Sequence, residues 1–242
     1  MCVAAIAWQA HPRWRLVAIA NRDEYHARPT APLARWDSGI LAGRDLEAGG
    51  TWLGVRPDGR FALVTNFRVD GFPQARRPSR GALVADWLEE RESRSLAGMN
   101  PFHLVCLDAG SAWHVTNHPQ PLRTALAPGI HGVSNGLFDR PWPKTVRLQD
   151  ALAAWLGAGS DDHTPLFAAL ADETTLPAES DSEGPALNFS PVFIRHPEYG
   201  TRCSTVVLVG HDGRGRIAER RFNADGRVCG GDDFELSGSL GC

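Results

Sequence analysis

Apolar residues along this chain come in short blocks, each long enough for a strand and each bounded by residues that favour turns. "CVAAIAWQ" and "WRLVAIAN" are β-compatible runs separated by "AHPR", so residues 2–8 and 14–21 are expected to pair as a hairpin. "TWLGV" and "RFALVTNF" flank "RPDG", which is strong turn chemistry and predicts a second hairpin. "FHLVCLD" and "SAWHVTN" predict a third, turning at Ala109–Gly110, and "GIHGVSN" reads as a short strand. Helical spacing replaces alternation in three places, near residues 80–94, 143–157 and 162–171. In the first, Ser79 is the expected cap, and Leu83, Trp87 and Leu88 form the apolar stripe. The second opens on a Pro-rich start and closes on glycine. Residues 172–190, acidic and rich in Pro and Ser, read as an exposed loop. "CSTVVLVG" and "RIAERRF" return as a strand pair, and the Gly/Asp-rich tail has room for one short edge strand.

Antiparallel hairpins with helices in separate blocks predict an α+β layered fold rather than a doubly wound parallel sheet. At 242 residues the chain is expected to form one domain over 1–242. Twenty-five basic against 28 acidic residues leave a net charge of −3, with no basic block, which argues against nucleic acid as a partner. Every basic residue but Lys144 is an arginine, a bias attributed to genomic base composition. No apolar run is long enough for a membrane span and no leader-like segment opens the chain, so a cytoplasmic location is expected. The five cysteines form no CxxC pair, so neither a disulfide framework nor a structural metal site is suggested.

The second residue is a cysteine. With Met1 removed, Cys2 carries a thiol and a free α-amine with ordinary pKa values of about 8.5 and about 7.7–8.0, a nucleophile and a matched base in one residue. Such a centre needs a carboxylate to orient the amine and donors for the developing oxyanion. In the first hairpin, the end of strand two returns beside the start of strand one, which brings Asp23 to the Cys2 amine; an ordinary turn carboxylate fits Asp23 equally well. Arg22 is adjacent, and on a regular strand it faces the opposite way from Asp23. Asn66 and Asn135 each follow an apolar strand and have the amides an oxyanion requires, although either alone fits an ordinary strand-end role better. Arg202, ahead of another apolar strand, taken alone reads as a solvated edge charge.

The ordered set "MC", "NRDE" at Asn21–Glu24, "GGTWLGV" at Gly49–Val55, "LVTNFR" at Leu63–Arg68, "SRG" at Ser79–Gly81 and "GVSNG" at Gly132–Gly136 resembles the NRDE family, also called the transport and Golgi organization protein 2 family. That family is similar in turn to the cysteine branch of the amino-terminal nucleophile (Ntn) hydrolases. The resemblance implies a four-layer αββα sandwich, two antiparallel sheets with helices outside. It also implies cleavage of a non-peptide amide C–N bond, or transfer of an acyl group, without metal or cofactor. It places Cys2 as nucleophile, Asp23 on its amine, Asn66 and Asn135 at the oxyanion, and Arg202 as support. The hydrolase branch carries an arginine three residues before the aspartate; here that position is Ala20, and Arg22 is the nearby charge. The alternative is a non-catalytic lipid, acyl or haem carrier on the same scaffold. For haem, the sequence offers nine histidines but no CxxCH and no evident pair, so all nine are expected to be neutral strand or surface residues. Trp52 is expected in the core, with contact to an acyl group as the other option.

Overall fold

The structure, a computed structural model, describes residues 2–92, 94–175 and 190–237. One sheet has six strands: β1 (Val3–Trp8), β2 (Trp14–Tyr25), β10 (Gly129–Val133), β11 (Tyr199–Gly210), β12 (Arg214–Phe222) and β13 (Val228–Ser237), ordered β10-β1-β2-β11-β12-β13. The other is a seven-stranded meander in sequence order: β3 (Thr30–Arg35), β4 (Leu41–Asp45), β5 (Leu53–Val55), β6 (Phe61–Asn66), β7 (Phe102–Leu107), β8 (Ala112–Thr116) and β9 (Leu122–Ala125). All neighbouring strands are antiparallel. Three helices, α1 (Gly81–Leu88), α2 (Pro143–Ala158) and α3 (Thr164–Leu170), complete the architecture.

Side-chain alternation sorts the strands into layers. Ala4, Ile6, Leu16, Val207, Phe61, Leu63 and Leu107 meet between the two sheets. Val3, Ala5, Ile19 and Leu208, on the other face of the six-stranded sheet, bury Leu148, Leu152, Leu166 and Leu170 of α2 and α3. Val64, Phe102 and Leu104, on the far face of the seven-stranded sheet, bury Leu83 and Leu88 of α1. The result is the expected sandwich of two antiparallel sheets with helices outside, α2/α3 on one face and α1 on the other. Each fully buried Leu, Ile or Phe contributes about 1.5–3 kcal/mol, and three separate apolar interfaces draw on that term.

The three expected hairpins, β1–β2, β5–β6 and β7–β8, are present, and β2 runs on to Tyr25. α2 begins with Pro143 and stops at Gly159, whose φ of 64° supplies the left-handed cap. α1 ends at Leu88 rather than residue 94, and Glu90 has a positive φ of 56°. Arg80, not Ser79, occupies its N-cap position, with no side-chain cap bond. The edge strands β3 and β9 carry mostly exposed residues and so lack the apolar alternation that marks the others. The tail strand β13 is ten residues long, not short. Of the loop expected at 172–190, residues 176–189 lie outside the described residues; 172–175 and Ser190 have no regular structure. No helix among the described residues is long and apolar enough to cross a membrane.

Candidate active site

β1 starts one residue after Cys2, between β2 and β10. Val3 pairs with Asn21, and continuing that ladder by one residue sets Cys2 opposite Arg22. On the other side of β2, Arg22 pairs with Cys203. Strict alternation then separates the two charged neighbours. Arg22 lies on the intersheet face, with Cys203 and Arg221, and Asp23 lies on the helix-facing side that Asn21 shares. No bulge interrupts β2 here; the register shift falls instead on β11, between Thr201 and Cys203, where Arg202 is the extra residue.

Cys2, Arg22, Asp23, Asn66 and Arg202 all line one cavity of about 460 Å³ between the sheets. Asp23 is 2% exposed, and its Oδ1 accepts a 2.7 Å bond from the Thr201 hydroxyl, whose oxygen in turn accepts from the Ile194 N–H at 2.9 Å. Arg22 reaches Asp45 at 3.3 Å and Thr30 Oγ1 at 3.3 Å, which braces the mouth of β2 against β3 and β4. Ala20, at the position where the hydrolase branch keeps arginine, is fully buried opposite Ala4 and Thr205 in the intersheet core. Arg202 donates to the carbonyls of Tyr25 at 2.8 Å and Arg28 at 3.1 Å, so it is a built part of the wall and not a solvated edge charge. Trp52 belongs to both of its expected settings, packed on the intersheet core and lining the cavity.

Asn135 is placed differently. Extending the β1–β10 ladder, in which Ala4 pairs with Val133, sets Asn135 opposite Cys2. Its side chain is 1% exposed and is not among the residues that line the cavity, with Nδ2 donating to the Asn66 carbonyl at 2.7 Å. One amide hydrogen is thus committed to tying the two sheets together at the site, and one is left. The backbone there is fixed further by Arg68 N–H donating to the Asn135 carbonyl at 2.7 Å and by Thr65 Oγ1 donating to the Ser134 carbonyl at 2.6 Å.

Two features of this region were not anticipated. A histidine pair exists: His103 Nδ1 and His114 Nε2 are 3.0 Å apart, and His103 Nε2 is 2.9 Å from the Gly136 carbonyl. Because a carbonyl only accepts, His103 carries its proton on Nε2, and His114 must donate to its Nδ1. Burial holds both neutral, with His103 lowered to about 4 and His114 to about 3. The expectation of neutral histidines stands, and that of no pair is corrected. The residues lie eleven apart in the chain and meet only because β7 and β8 pair.

The second feature is Lys144, dismissed above as a compositional accident. It sits in the first turn of α2, 1% exposed, with α2 packed on β1 and β10. Burial lowers its pKa, opposed by the charges of Asp23 and Cys2. Reciprocally, burial raises the Asp23 carboxyl, opposed first by Lys144 and also by the Thr201 bond and Arg22. The thiol of Cys2 is raised as well, by burial and by Asp23, with Arg22 pulling the other way. A lone lysine in an otherwise arginine-only basic set, placed just after "PWP" at a helix start, was the available signal. Lysine fits such a position because its ammonium is compact and tolerates burial by shifting its pKa, whereas a guanidinium stays charged.

Around one cavity the structure thus sets a buried carboxylate, a thiol that burial holds protonated, and the Asn66 side chain. Among the described residues no group of three or more His, Cys, Asp or Glu side chains is placed to hold a metal ion.

Comparison with known proteins bears on the fold and the family. The chain is 32% identical over 256 residues to the human transport and Golgi organization protein 2 homolog, covering 91% of this chain and 92% of that one. It is 26% identical over 258 residues to the Drosophila melanogaster protein, with coverage of 90% and 91%. Among solved structures, a conjugated bile acid hydrolase from Clostridium perfringens superposes with a TM-score of 0.57 at 10% identity, over 98% of this chain and 92% of that one. The Caenorhabditis elegans ortholog of N-acylethanolamine-hydrolyzing acid amidase does so with 0.54 at 14% identity, over 86% and 92%. These two share the fold. The model of the family Transport and Golgi organisation 2 matches residues 1–224, and the chain belongs to that family.

Proposed function

We propose that this protein is a hydrolase or acyltransferase that uses Cys2, freed of Met1, to cleave a non-peptide amide C–N bond or a related acyl bond. The observation that carries this reading is the placement of the buried, Thr201-held Asp23 and the Cys2 thiol around one cavity at the open end of β1. The raised thiol is a neutral resting group that needs a base at the moment of attack, and the α-amine of the same residue is that base. Asp23, backed by Lys144, orients the amine. Sulfur adds to the substrate carbonyl as its proton passes to the amine. The oxyanion is met by the Asn66 side-chain amide and the remaining Asn135 hydrogen. Collapse expels the amine of the substrate, which takes that proton, and leaves a thioester. Water, deprotonated by the α-amine, releases the acid and restores the thiol. Arg22 and Arg202 set the charge of the wall. Two structural neighbours, one named an acid amidase and one a conjugated bile acid hydrolase, support this class of reaction.

The test combines intact-mass measurement of the processed protein with turnover on an amide and acyl-thioester panel. Cys2→Ala should remove covalent labelling and all turnover while the fold survives, because one sulfur is lost at a half-buried chain end. Cys2→Ser should retain far less activity, since a hydroxyl is harder to deprotonate. Asp23→Asn should lower kcat more than it raises KM. Labelling of Cys2→Ala equal to that of the parent refutes the reading. So does a parent without turnover that binds an acyl ligand as well as Cys2→Ala does, and the scaffold is then a carrier.

A further inference from the structure

The cavity wall holds more positive charge than its own carboxylates neutralise. Among the described residues it is lined by seven arginines and five carboxylates. The carboxylates are largely spoken for. Asp45 takes Arg28 at 2.7 Å and Arg22 at 3.3 Å; Glu47 takes Arg28 at 3.3 Å; Glu24 lies 3.9 Å from both of those arginines. Glu219 binds the Leu33 N–H at 3.1 Å and Arg221 at 3.4 Å, and Asp23 faces Lys144 from the helix side.

Four lining arginines make no carboxylate ion pair with a described residue. Arg44 lies over the Trp36 ring at 4.0 Å, and Arg77 bonds Gln74. Arg202 gives Nη1 to two backbone carbonyls. Arg80 makes a single long bond, Nη1 to the Pro101 carbonyl at 3.2 Å. It is also the one of the four besides Arg202 that is substantially buried, and the charges it senses most are the Cys2 thiol and Glu24. A partly buried guanidinium that lines the same cavity as Cys2, with most of its donors uncommitted, is a seat for a planar anion.

We propose that Arg80 recognises a negatively charged group, a carboxylate or a phosphate, on the acyl substrate, and so directs anionic acyl compounds to the Cys2 thiol. The inference rests on the reading of Cys2 as the nucleophile. Arg80 touches substrate in this scheme; Arg202, its Nη1 tied to the Tyr25 and Arg28 carbonyls, adds to the field of the wall.

Two alkylating probes of nearly equal size separate charge from reactivity: iodoacetate, which is anionic, and iodoacetamide, which is neutral. In each, the Cys2 sulfur displaces iodide and forms one C–S bond. Adducts are assigned to Cys2 by peptide mass mapping, and the iodoacetate-to-iodoacetamide rate ratio is compared with that of N-acetylcysteine. The parent is expected to exceed the free-thiol ratio by about tenfold or more, the size of one charge-assisted bond. Raising salt from low to molar concentration should reduce the iodoacetate rate and spare the iodoacetamide rate. Arg80→Gln, which keeps a donor for the Pro101 carbonyl, should bring the ratio back toward that of free thiol with the iodoacetamide rate retained. Arg80→Lys should keep part of the preference. A parent ratio equal to the free-thiol value, or one that Arg80→Gln leaves intact, overturns the anion seat while Cys2 remains a nucleophile. The salt series on the parent decides the matter if Arg80→Gln does not fold. If Cys2 reacts with neither probe, the nucleophile reading falls and the anion seat falls with it.

Discussion

Replacing Lys144 by methionine keeps the apolar stem and removes only the ammonium. Asp23, 2% exposed, then loses the largest favourable charge acting on it. Breaking a buried pair from one side costs about 3–5 kcal/mol, because the survivor is left charged in a poor solvent. The Thr201 hydroxyl still donates to Asp23 at 2.7 Å, which argues for the lower end, about 3 kcal/mol. For a chain of this length each kcal/mol moves Tm by about 2–4 °C, so calorimetry should show a fall of about 6–12 °C near neutral pH. The pH dependence follows from the sign of the Asp23 shift. Its folded pKa already lies above the unfolded value, so within that window the folded state binds more protons, and stability falls as pH rises. Losing Lys144 raises the carboxyl further and widens the window. The deficit of Lys144→Met should therefore be smaller at pH 5 than at pH 8. Lys144→Met with Asp23→Asn should recover much of the loss, since no charge is then stranded. A fall in Tm under about 2 °C, a deficit independent of pH, or losses that simply add in the double variant would refute the coupling.

Gly136→Ala should disturb the site from behind: a Cβ there would lie 2.3 Å from Trp142 Nε1, so the loop bearing Asn135 must move, with a stability loss of about 1–3 kcal/mol by thermal melting and a slower Cys2 alkylation. The neutral pair His103–His114 should make the protein acid-labile: their folded pKa values, about 4 and about 3, lie below the ordinary 6.5, so stability present above pH 6.5 is lost as pH falls toward 4. Each histidine contributes up to about 1.4 kcal/mol per pH unit in that window, and His114→Phe should flatten the slope of Tm against pH.

The hairpins were legible because each is local: turn chemistry and two apolar runs lie within about twenty residues of one another. The approach of Asp23 to Cys2 was expected from hairpin geometry alone; the Val3–Asn21 pairing sets Arg22 opposite Cys2, with Asp23 one residue further along β2. What the sequence did not reveal depends on contacts between distant segments. Lys144 is marked by its burial under β1, Arg80 by its lack of a carboxylate partner, and the histidine pair by strand register; none of these is a property of neighbouring residues. The resemblance carried by "GVSNG" assigned Asn135 to the oxyanion, but its tie to the carbonyl of Asn66 on the other sheet could not be read from that context. β3 and β9 escaped notice because edge strands with exposed side chains carry no hydrophobic signal.

The order of strands in the six-stranded sheet also governs when the proposed chemistry could begin. Cys2 leaves the ribosome well before β11, and β2, which seats Asp23, stays unpaired on one edge until β11 supplies Thr201 and Arg202. At about 5–20 residues per second, about 10–40 s of synthesis separate the thiol from its finished surroundings. In the meantime the amine has no Thr201-held carboxylate, and the apolar edge of β2 is open to other strands. The nascent protein therefore carries a chemically idle cysteine and a sticky edge together, and the arrival of a single late strand abolishes both conditions at once.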